Sequence, residues 1–469
     1  MQNYILKDVS IVNEGKIEVK NIYLKKGRIE RIDSEFNVKE KVQEVDGAGK
    51  YLLPGVIDDQ VHFREPGLTH KATIYTESKA AVAGGTTSFM EMPNTIPPAL
   101  TEALLEEKYT IAKNTSLANY SFFMGTSNDN ADEALRMNKR KKDICGVKIF
   151  MGSSTGNMLV DSEPALHKIF SESELLIATH CEDEKIIKAN YEKIKSVKPV
   201  LQPADHPLIR DEKACYTSSS FAVSLAKKYN SRLHVLHIST AGEMELFVNN
   251  IPVKDKRITA EVCVHHLHFT ADDYSCLGYL IKCNPAIKAP YHKEALWKAL
   301  LDNYFDVIAT DHAPHTLEEK GVIRNGDGIL ISPEEGAWGR LYEHAHSGLP
   351  LVQHSLLLML HYYKQGKISL EKIAEKMSHA VADCFKIEDR GYIREGYFAD
   401  LVLVDLNATT KVSGESILYK CGWSPLEGTV FPAAINRTFV NGNCIYINED
   451  YGKHIFDESI RGQRLTFSW

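Results

Sequence analysis

An apolar run, Tyr51-Leu52-Leu53-Pro54-Gly55-Val56-Ile57, leads directly into the polar stretch Asp58-Asp59-Gln60-Val61-His62-Phe63-Arg64-Glu65-Pro66-Gly67. The apolar run predicts a short buried strand, and side chains alternate between the two faces of a strand. Four polar side chains are therefore expected on one face: Asp58, Gln60, His62 and Arg64. Burying such groups together is costly unless something binds them, so the stretch predicts a metal site with a substrate anchor beside it. Taken alone, either residue favours a structural interpretation, with His62 as a hydrogen-bonded core histidine and Arg64 as a surface charge.

The bulk composition limits the class of protein. The chain has 469 residues, enough for a barrel-sized domain and an additional module. Its 55 basic and 62 acidic residues give a net charge of -7, which favours neither nucleic acid nor an anionic membrane as a partner. The N-terminus lacks the pattern of a signal peptide, and no run approaches the ~18 apolar residues of a membrane span. The nine cysteines include no CxxC pair and predict reduced thiols in a cytoplasmic protein.

The order of the predicted elements indicates a barrel. After a β-rich start with Asn-Glu-Gly and Lys-Lys-Gly turns, eight apolar strand-like runs alternate with helix-like stretches such as 102–115 and 212–228. The first run begins at Val56, and the others lie at 86–92, 120–124, 146–150, 175–180, 233–237, 257–262 and 306–311. This count and rhythm predict an α/β fold with a (β/α)8 TIM-like barrel.

Short strands return near the end of the chain, at 399–405 and 437–446. A β-rich start and a β-rich end on either side of a barrel predict that both chain ends pair into one small β-sandwich. The expected domains are thus residues 1–53 with 386–469, the composite β-sandwich and C-terminal tail, and residues 54–385, the barrel.

Five residues able to bind a metal or carry a proton fall on the predicted barrel strands. Strand 1 ends at His62, strand 4 contains Lys148, strand 5 ends at His180, strand 6 at His237, and strand 8 at Asp311. The C-terminal ends of barrel strands meet at one mouth, so these side chains are expected to converge there. Four strands that each end in a ligand-type residue are hard to attribute to chance.

Two members of this set predict specific chemistry. Low dielectric and nearby metal charge favour the neutral amine of Lys148, which can capture carbon dioxide as a carbamate that bridges two metal ions. The alternative is a lysine that extends to the surface. A carboxylate at Asp311 can take a proton from metal-bound water, which supplies the nucleophile, and return it to a leaving nitrogen.

A series of motifs resembles one known family. In chain order they are Pro-Gly-Val-Ile-Asp-Asp-Gln-Val-His-Phe-Arg-Glu-Pro-Gly at 54–67, Met-Pro-Asn-Thr at 92–95, Gly-Val-Lys-Ile-Phe at 146–150, His-Cys-Glu-Asp at 180–183, His-Val-Leu-His-Ile-Ser-Thr at 234–240, Glu-Val-Cys-Val-His-His at 261–266, Lys-Cys-Asn-Pro-Ala-Ile-Lys at 282–288, Thr-Asp-His-Ala-Pro-His at 310–315, and Gly-Tyr-Phe-Ala-Asp-Leu-Val-Leu-Val-Asp at 396–405. Together they resemble the dihydroorotases of the amidohydrolase superfamily, over essentially the whole chain.

The resemblance implies a zinc-dependent cyclic amidohydrolase that reversibly hydrolyses dihydroorotate to N-carbamoyl-L-aspartate in pyrimidine biosynthesis, with a zinc-bound hydroxide as nucleophile. It implies zinc ligands and an acid/base catalyst among His62, carboxylated Lys148, His180, His237 and Asp311, the last also being the catalyst. It implies substrate contacts at Arg64, Asn94, Asn284 and His315. The planar fork of Arg64 suits a substrate carboxylate, which hydantoins and dihydropyrimidines lack. The expected partners are a small-molecule substrate and further copies of the chain, as a homodimer or other homo-oligomer.

The chain departs from the family pattern at the first position of the His-x-His motif, where it has Gln60. An amide oxygen is a weaker zinc donor than imidazole, so Gln60 is at most a weak ligand, and one or two zinc ions per chain are expected. Lys288 stands where the family usually has arginine. His265 and His266 are interpreted as structural or outer residues, since the other residues fill the metal positions.

Two alternatives remain open from the sequence. One is an allantoinase-type cyclic ureide hydrolase, and the other is a catalytically silent relative that serves as an assembly subunit, as the loss of histidine at Gln60 would suggest. The tract from Glu318 to Glu343, with Gly326-Asp327-Gly328 and Trp338, is expected to be either a mobile lid or a packed excursion.

Overall fold

The computed structural model describes residues 2–152, 157–324, 330–331 and 342–469. The chain begins with five strands: β1 (Tyr4–Asn13), β2 (Lys16–Lys25), β3 (Arg28–Asp33), β4 (Gln43–Asp46) and β5 (Tyr51–Pro54). The first two hairpin turns have left-handed backbone at Glu14-Gly15 and Lys26-Gly27, which fits the Asn-Glu-Gly and Lys-Lys-Gly turns of the sequence.

The next strands form the barrel: β6 (Val56–Val61), β7 (Thr86–Glu91), β8 (Asn119–Phe122), β9 (Met124–Gly125), β10 (Val147–Phe150), β11 (Ile177–His180), β12 (Leu233–Val235), β13 (Ile258–Cys263) and β14 (Val307–Ala309). Strands β6 to β8 are parallel neighbours in order, as are β9 to β14. β8 and β9 are successive parts of one run, and a parallel bridge from Val61 to His312 closes the ring. All eight predicted strand positions are confirmed.

The helices are α1 (Ile74–Ala83), α2 (Glu102–Thr115), α3 (Ala131–Arg136), α4 (Glu163–Glu172), α5 (Glu184–Val197), α6 (His206–Ile209), α7 (Glu212–Tyr229), α8 (Val264–His268), α9 (Tyr274–Leu277), α10 (Pro290–Leu301), α11 (Leu317–Lys320), α12 (Ser355–Lys364), α13 (Leu370–Ala374) and α14 (Ala380–Phe385). The predicted helices at 102–115 and 212–228 are confirmed as α2 and α7. Thr101 and Asp211 cap them by accepting hydrogen bonds from the first turn.

The remaining strands are β15 (Ile323–Arg324), β16 (Leu330–Ile331), β17 (Leu401–Asp405), β18 (Thr410–Lys411), β19 (Val430–Phe431), β20 (Ala434–Val440), β21 (Asn443–Ile447) and β22 (Ile455–Phe456). One sheet joins the two chain ends in the order β22-β21-β20-β17-β5-β1-β2-β3, with β4 beside β1. β17 pairs antiparallel with β5, so the end of the chain joins the sheet formed by its first strands. The predicted fold class, a TIM-like barrel with a small β-sandwich built from both chain ends, is confirmed, and the strands from the two ends share the sheet described above.

The N-terminal end of the barrel is plugged by apolar side chains. Residues from the starts of the strands, including Ile57 and Val307, belong to one buried cluster with Phe385 of α14 and with Leu465 and Phe467 of the C-terminal tail. The tail is hydrogen-bonded along the barrel edge, where the Leu465 amide donates to the carbonyl oxygen of Tyr120 at 2.9 Å.

The tract from Glu318 to Glu343 is described only in part. Gly326-Asp327-Gly328 and Trp338 lie outside the described residues. None of the described helices has the length and apolar character needed to cross a bilayer.

Candidate functional site

A cavity of about 360 Å³ opens at the C-terminal ends of the barrel strands. Nine of the ten residues predicted for the site line it: Gln60, His62, Arg64, Asn94, His180, His237, Asn284, Asp311 and His315. The tenth, Lys148, is buried beneath it and contacts the ring of Phe150, another lining residue, with its amine 4.6 Å from the ring centroid. The barrel therefore brings together side chains that are far apart in sequence.

Three of these residues have left-handed backbone although none is glycine. The φ angles are 67° at Arg64, 38° at His237 and 46° at Asp311. Such a conformation costs on the order of 1–3 kcal/mol and persists only where the surrounding structure imposes it. Each of the three residues follows the end of a barrel strand, and all three line the cavity. The left-handed backbone therefore occurs where these side chains are directed to the cavity.

The first pair of polar groups is His62 with Asp311. The Nε2 atom of His62 lies 3.0 Å from Oδ1 of Asp311, and its Nδ1 lies 2.7 Å from Oδ1 of Asn94. If Nδ1–H donates to Asn94, the lone pair of Nε2 faces the Asp311 carboxylate. Two electron pairs at this distance need a cation or a proton between them. Burial acts to raise the pKa of Asp311, but the hydrogen bond and charge of His62 outweigh it and the pKa falls below its usual value.

The second pair is His180 with His237. Nδ1 of His180 lies 3.0 Å from Nε2 of His237, and Nε2–H of His180 donates to Oε2 of Glu182 at 3.0 Å. Glu182 is also paired with Arg210. Burial acts to raise the pKa of Glu182, but Arg210 and His180 lower it to about 2, so it is a fixed carboxylate that orients the His180 ring. The nitrogen of His180 that remains faces His237.

Lys148 is the buried amine beneath the cavity. The side chain is 1 % exposed, and its Nζ has no hydrogen-bond partner among the described residues. Burial lowers the pKa of Lys148 to about 7, although Asp311 and Glu261 act to raise it. An unpaired amine that is partly neutral at neutral pH has the reactivity needed for carbamate formation.

Arg64 lines the cavity and contacts the segment that follows β14. Its Nε–H donates to the carbonyl oxygen of Pro314 at 3.1 Å, and its Nη2 lies 3.0 Å from Nε2 of His315. His315 in turn contacts Lys71, which forms an ion pair with Glu319 at 2.9 Å. Arg64 is 6 % exposed, and no carboxylate of the described residues lies within 4.0 Å of its guanidinium. A buried cation at the cavity wall thus lacks a direct counter-ion in the part of the chain that the structure describes.

Asn284 lines the cavity and contacts His206 of α6. Its Oδ1 is 3.1 Å from Nε2 of His206, whose Nδ1 lies 2.8 Å from the hydroxyl of Tyr342. Burial holds the pKa of His206 well below its usual value, so the ring is neutral. The contact fixes the orientation of the Asn284 amide.

The predicted single face of β6 is only partly observed. Gln60, His62 and Arg64 line the cavity, but Asp58 does not and instead accepts a hydrogen bond from the Thr310 hydroxyl at 2.6 Å. The register with β7 shifts between Asp58 and Val61, so simple alternation fails there.

Sequence reasoning missed a buried cluster beneath the cavity. Asp59, His234 and Glu261 are all 0 % exposed, and Nε2 of His234 lies 3.0 Å from Oδ2 of Asp59. The only available signal was a charged residue inside each of three apolar strands. His234 also lies in the motif at 234–240, in which the predicted ligand is His237.

The fold and the cavity together define the class: an enzyme built on a (β/α)8 barrel, since active sites in this fold lie at the C-terminal ends of the strands. A model of the amidohydrolase family matches residues 51–445. The chain belongs to the amidohydrolase family.

Individual relatives span nearly the full length. A dihydroorotase of Carboxydothermus hydrogenoformans is 32% identical over 94% of this chain and 96% of its own. An allantoinase of Desulfitobacterium hafniense is 29% identical over 96% of this chain and 98% of its own. Among solved structures, an L-hydantoinase (dihydropyrimidinase) from Arthrobacter aurescens superposes with a TM-score of 0.88 at 25% identity, covering 99% of this chain and 100% of that one.

Proposed function

We propose that this protein is a dihydroorotase, which opens the ring of dihydroorotate to N-carbamoyl-L-aspartate and catalyses the reverse ring closure in pyrimidine biosynthesis. The observation that carries the proposal is Arg64, a buried guanidinium without a carboxylate partner among the described residues, at the wall of the cavity beside His62. Both dihydroorotate and carbamoyl aspartate carry a carboxylate that would complete this pair. The dihydroorotases among the relatives support the same choice.

The donor set fits a zinc centre. Potential ligand atoms lie close together in two places. Nε2 of His62 is 3.0 Å from Oδ1 of Asp311, and Nδ1 of His180 is 3.0 Å from Nε2 of His237. The unpaired amine of Lys148, as a carbamate, would add a two-oxygen ligand. Zinc bound by these residues would activate a water molecule and polarise the amide carbonyl of the substrate. Gln60 offers only an amide oxygen, so a second zinc ion would be held more weakly than the first.

The protein groups then act on the substrate in distinct ways. Arg64 and His315 hold the carboxylate, and Asn94, whose Oδ1 is engaged by His62, has its Nδ2–H groups left to donate. Asn284 supplies another oriented amide that lines the cavity. Asp311 accepts the proton of the attacking water and delivers it to the ring nitrogen that leaves.

The test is a substrate comparison on the purified chain supplied with zinc and bicarbonate. We expect turnover of dihydroorotate and cyclisation of carbamoyl aspartate. Arg64→Gln should lower kcat/KM for dihydroorotate at least about 30-fold, because losing one partner of a buried charged pair costs roughly 2 kcal/mol or more. Any residual activity on hydantoin, which lacks the carboxylate, serves as the matched control and should be unchanged by the same substitution.

Two outcomes would contradict the proposal. Turnover of allantoin without turnover of dihydroorotate would assign the chain to the allantoinase type. Absence of activity on all of these substrates would favour the silent assembly subunit, for which Gln60 is the supporting feature.

A further inference from the structure

Three potential metal ligands lie together where β13 passes into α8. They are Cys263, the last residue of the strand, and His265 and His266 in the first turn of the helix. One donor atom from each lies within 4.8 Å of the others, and all three side chains are buried, at 1 % exposure for His265 and 3 % for His266. None of the three lines the cavity described above or belongs to the ligand set proposed for it.

Three of the four ring nitrogens of these two histidines have no hydrogen-bond partner among the described residues. Nε2–H of His266 donates to the carbonyl oxygen of Pro285 at 3.1 Å, and Nδ1 has no partner among the described residues. Neither ring nitrogen of His265 meets hydrogen-bond geometry with a described residue, although the backbone of Thr310 lies nearby. A ring anchored to a backbone carbonyl through one nitrogen, with the other unpaired, has the arrangement found in metal-bound histidines. An unpaired imidazole buried to this extent is otherwise costly.

The cluster adjoins the position at which the chain departs from the His-x-His pattern. Sγ of Cys263 lies 3.9 Å from Oε1 of Gln60 and 3.2 Å from Oε1 of Glu261. Gln60 lines the cavity, so a single side chain separates the thiol from the site of the proposed reaction. The thiol of the cluster therefore lies next to the residue that stands where a histidine ligand is missing.

We propose that Cys263, His265 and His266 form a separate site for a divalent transition metal of the zinc type. One thiolate and two imidazoles are a donor set that zinc accepts in tetrahedral sites. The side-chain oxygens of Gln60 and Glu261, both beside the Sγ atom, are available for the fourth position. Binding converts the thiol to a thiolate and releases its proton to solvent. The site does not depend on which cyclic amide the enzyme hydrolyses.

Cobalt(II) tests the site because a cobalt–thiolate bond absorbs strongly in the near ultraviolet, whereas cobalt bound by imidazole and carboxylate does not. Metal-free protein reloaded with cobalt chloride should show this band. Cys263→Ser should abolish the band and lower the cobalt content by one ion per chain. Cys145→Ser, a substitution of another fully buried thiol outside the cluster, should leave both unchanged.

A second variant separates this proposal from the proposed function. His180→Ala should abolish dihydroorotate turnover but keep the cobalt–thiolate band. A band that persists in Cys263→Ser would overturn the proposal. So would zinc X-ray absorption of the unmodified, zinc-loaded protein without a sulfur neighbour at about 2.3 Å, and this measurement requires no variant to fold.

Discussion

At the scale of single residues, the site is defined by groups that the folded chain leaves without ordinary partners. The amine of Lys148 and the guanidinium of Arg64 are both buried, yet among the described residues the first has no hydrogen-bond partner and the second no carboxylate within reach. Such groups are expensive in a protein interior. Under the proposed function each is completed from outside the chain, Lys148 by a carbamate carbon and Arg64 by the substrate carboxylate.

The role of Lys148 can be tested by substitution. Lys148→Ala should remove the carbamate ligand and reduce activity by more than the roughly 10–100-fold that loss of an outer residue of a metal site costs. Short carboxylic acids such as acetate or propionate should restore part of the activity by occupying the vacated space. Failure of every acid tested to restore activity would count against a bridging carboxylate, and Lys288→Ala, another buried lysine, serves as the control.

At the scale of elements, a buried ion pair fixes the end of β6. Glu91, the last residue of β7, lies 2.7 Å from Nζ of Lys108 in α2, and both side chains are 1 % exposed. The other oxygen of Glu91 accepts from the backbone amide of Phe63, which stands between His62 and Arg64. Strand, helix and site are therefore coupled through one carboxylate.

Removing one member of this ion pair should strongly destabilise the fold. Lys108→Met leaves Glu91 as an uncompensated buried charge and should destabilise the fold by about 3–5 kcal/mol. The double variant Glu91→Gln/Lys108→Met should recover much of that loss, because the amide oxygen can still accept from Phe63 while no charge remains. The measurement is the urea midpoint of each variant, and equal midpoints for the single and double variants would contradict the argument.

At the scale of the whole molecule, the two ends of the barrel differ, since one is open as a cavity and the other is filled with apolar side chains. The C-terminal end carries the cavity, and the N-terminal end is filled by α14 and the chain's last residues, with Leu465 and Phe467 both fully buried. A tail hydrogen-bonded beside β8 thus completes the core of a domain that begins some 400 residues earlier.

Truncating the tail side chains that fill the N-terminal end of the barrel should lower stability more than catalytic activity. Leu465→Ala with Phe467→Ala should cost several kcal/mol, since each large-to-small change in a core costs roughly 2–5 kcal/mol. The thermal midpoint should fall while KM for dihydroorotate stays within about twofold at a temperature where the variant is folded. Ser468→Ala, a substitution of an exposed neighbour, is the control. An unchanged thermal midpoint in the double variant would contradict a stabilising role for Leu465 and Phe467.

Much of the architecture was predictable because its signals are local. The hairpins of the first 33 residues follow from turn residues that tolerate left-handed backbone at Glu14-Gly15 and Lys26-Gly27. Helix α2 is bounded by a threonine cap, and the barrel strands stand out as apolar runs. In each case a few neighbouring residues carry the information.

The sequence predicted which side chains line the cavity but not how all of the polar groups around it are arranged. Ligand-type residues at strand ends were visible in the sequence, and nine of the ten line one cavity. The departure of Asp58 from the predicted face was not visible, because it depends on a register shift against β7. The cluster of Asp59, His234 and Glu261 was equally hidden, since its members come from three strands.

The sequence by itself determined the order of the elements, the number of barrel strands and the residue types at each strand end, since periodicity and turn chemistry act over a few residues. Only the tertiary structure decided which of those side chains share a cavity, which are left unpaired, and how Cys263, His265 and His266 meet beside Gln60. Those facts depend on closure of the barrel and on strand register, which are set by contacts between residues hundreds of positions apart.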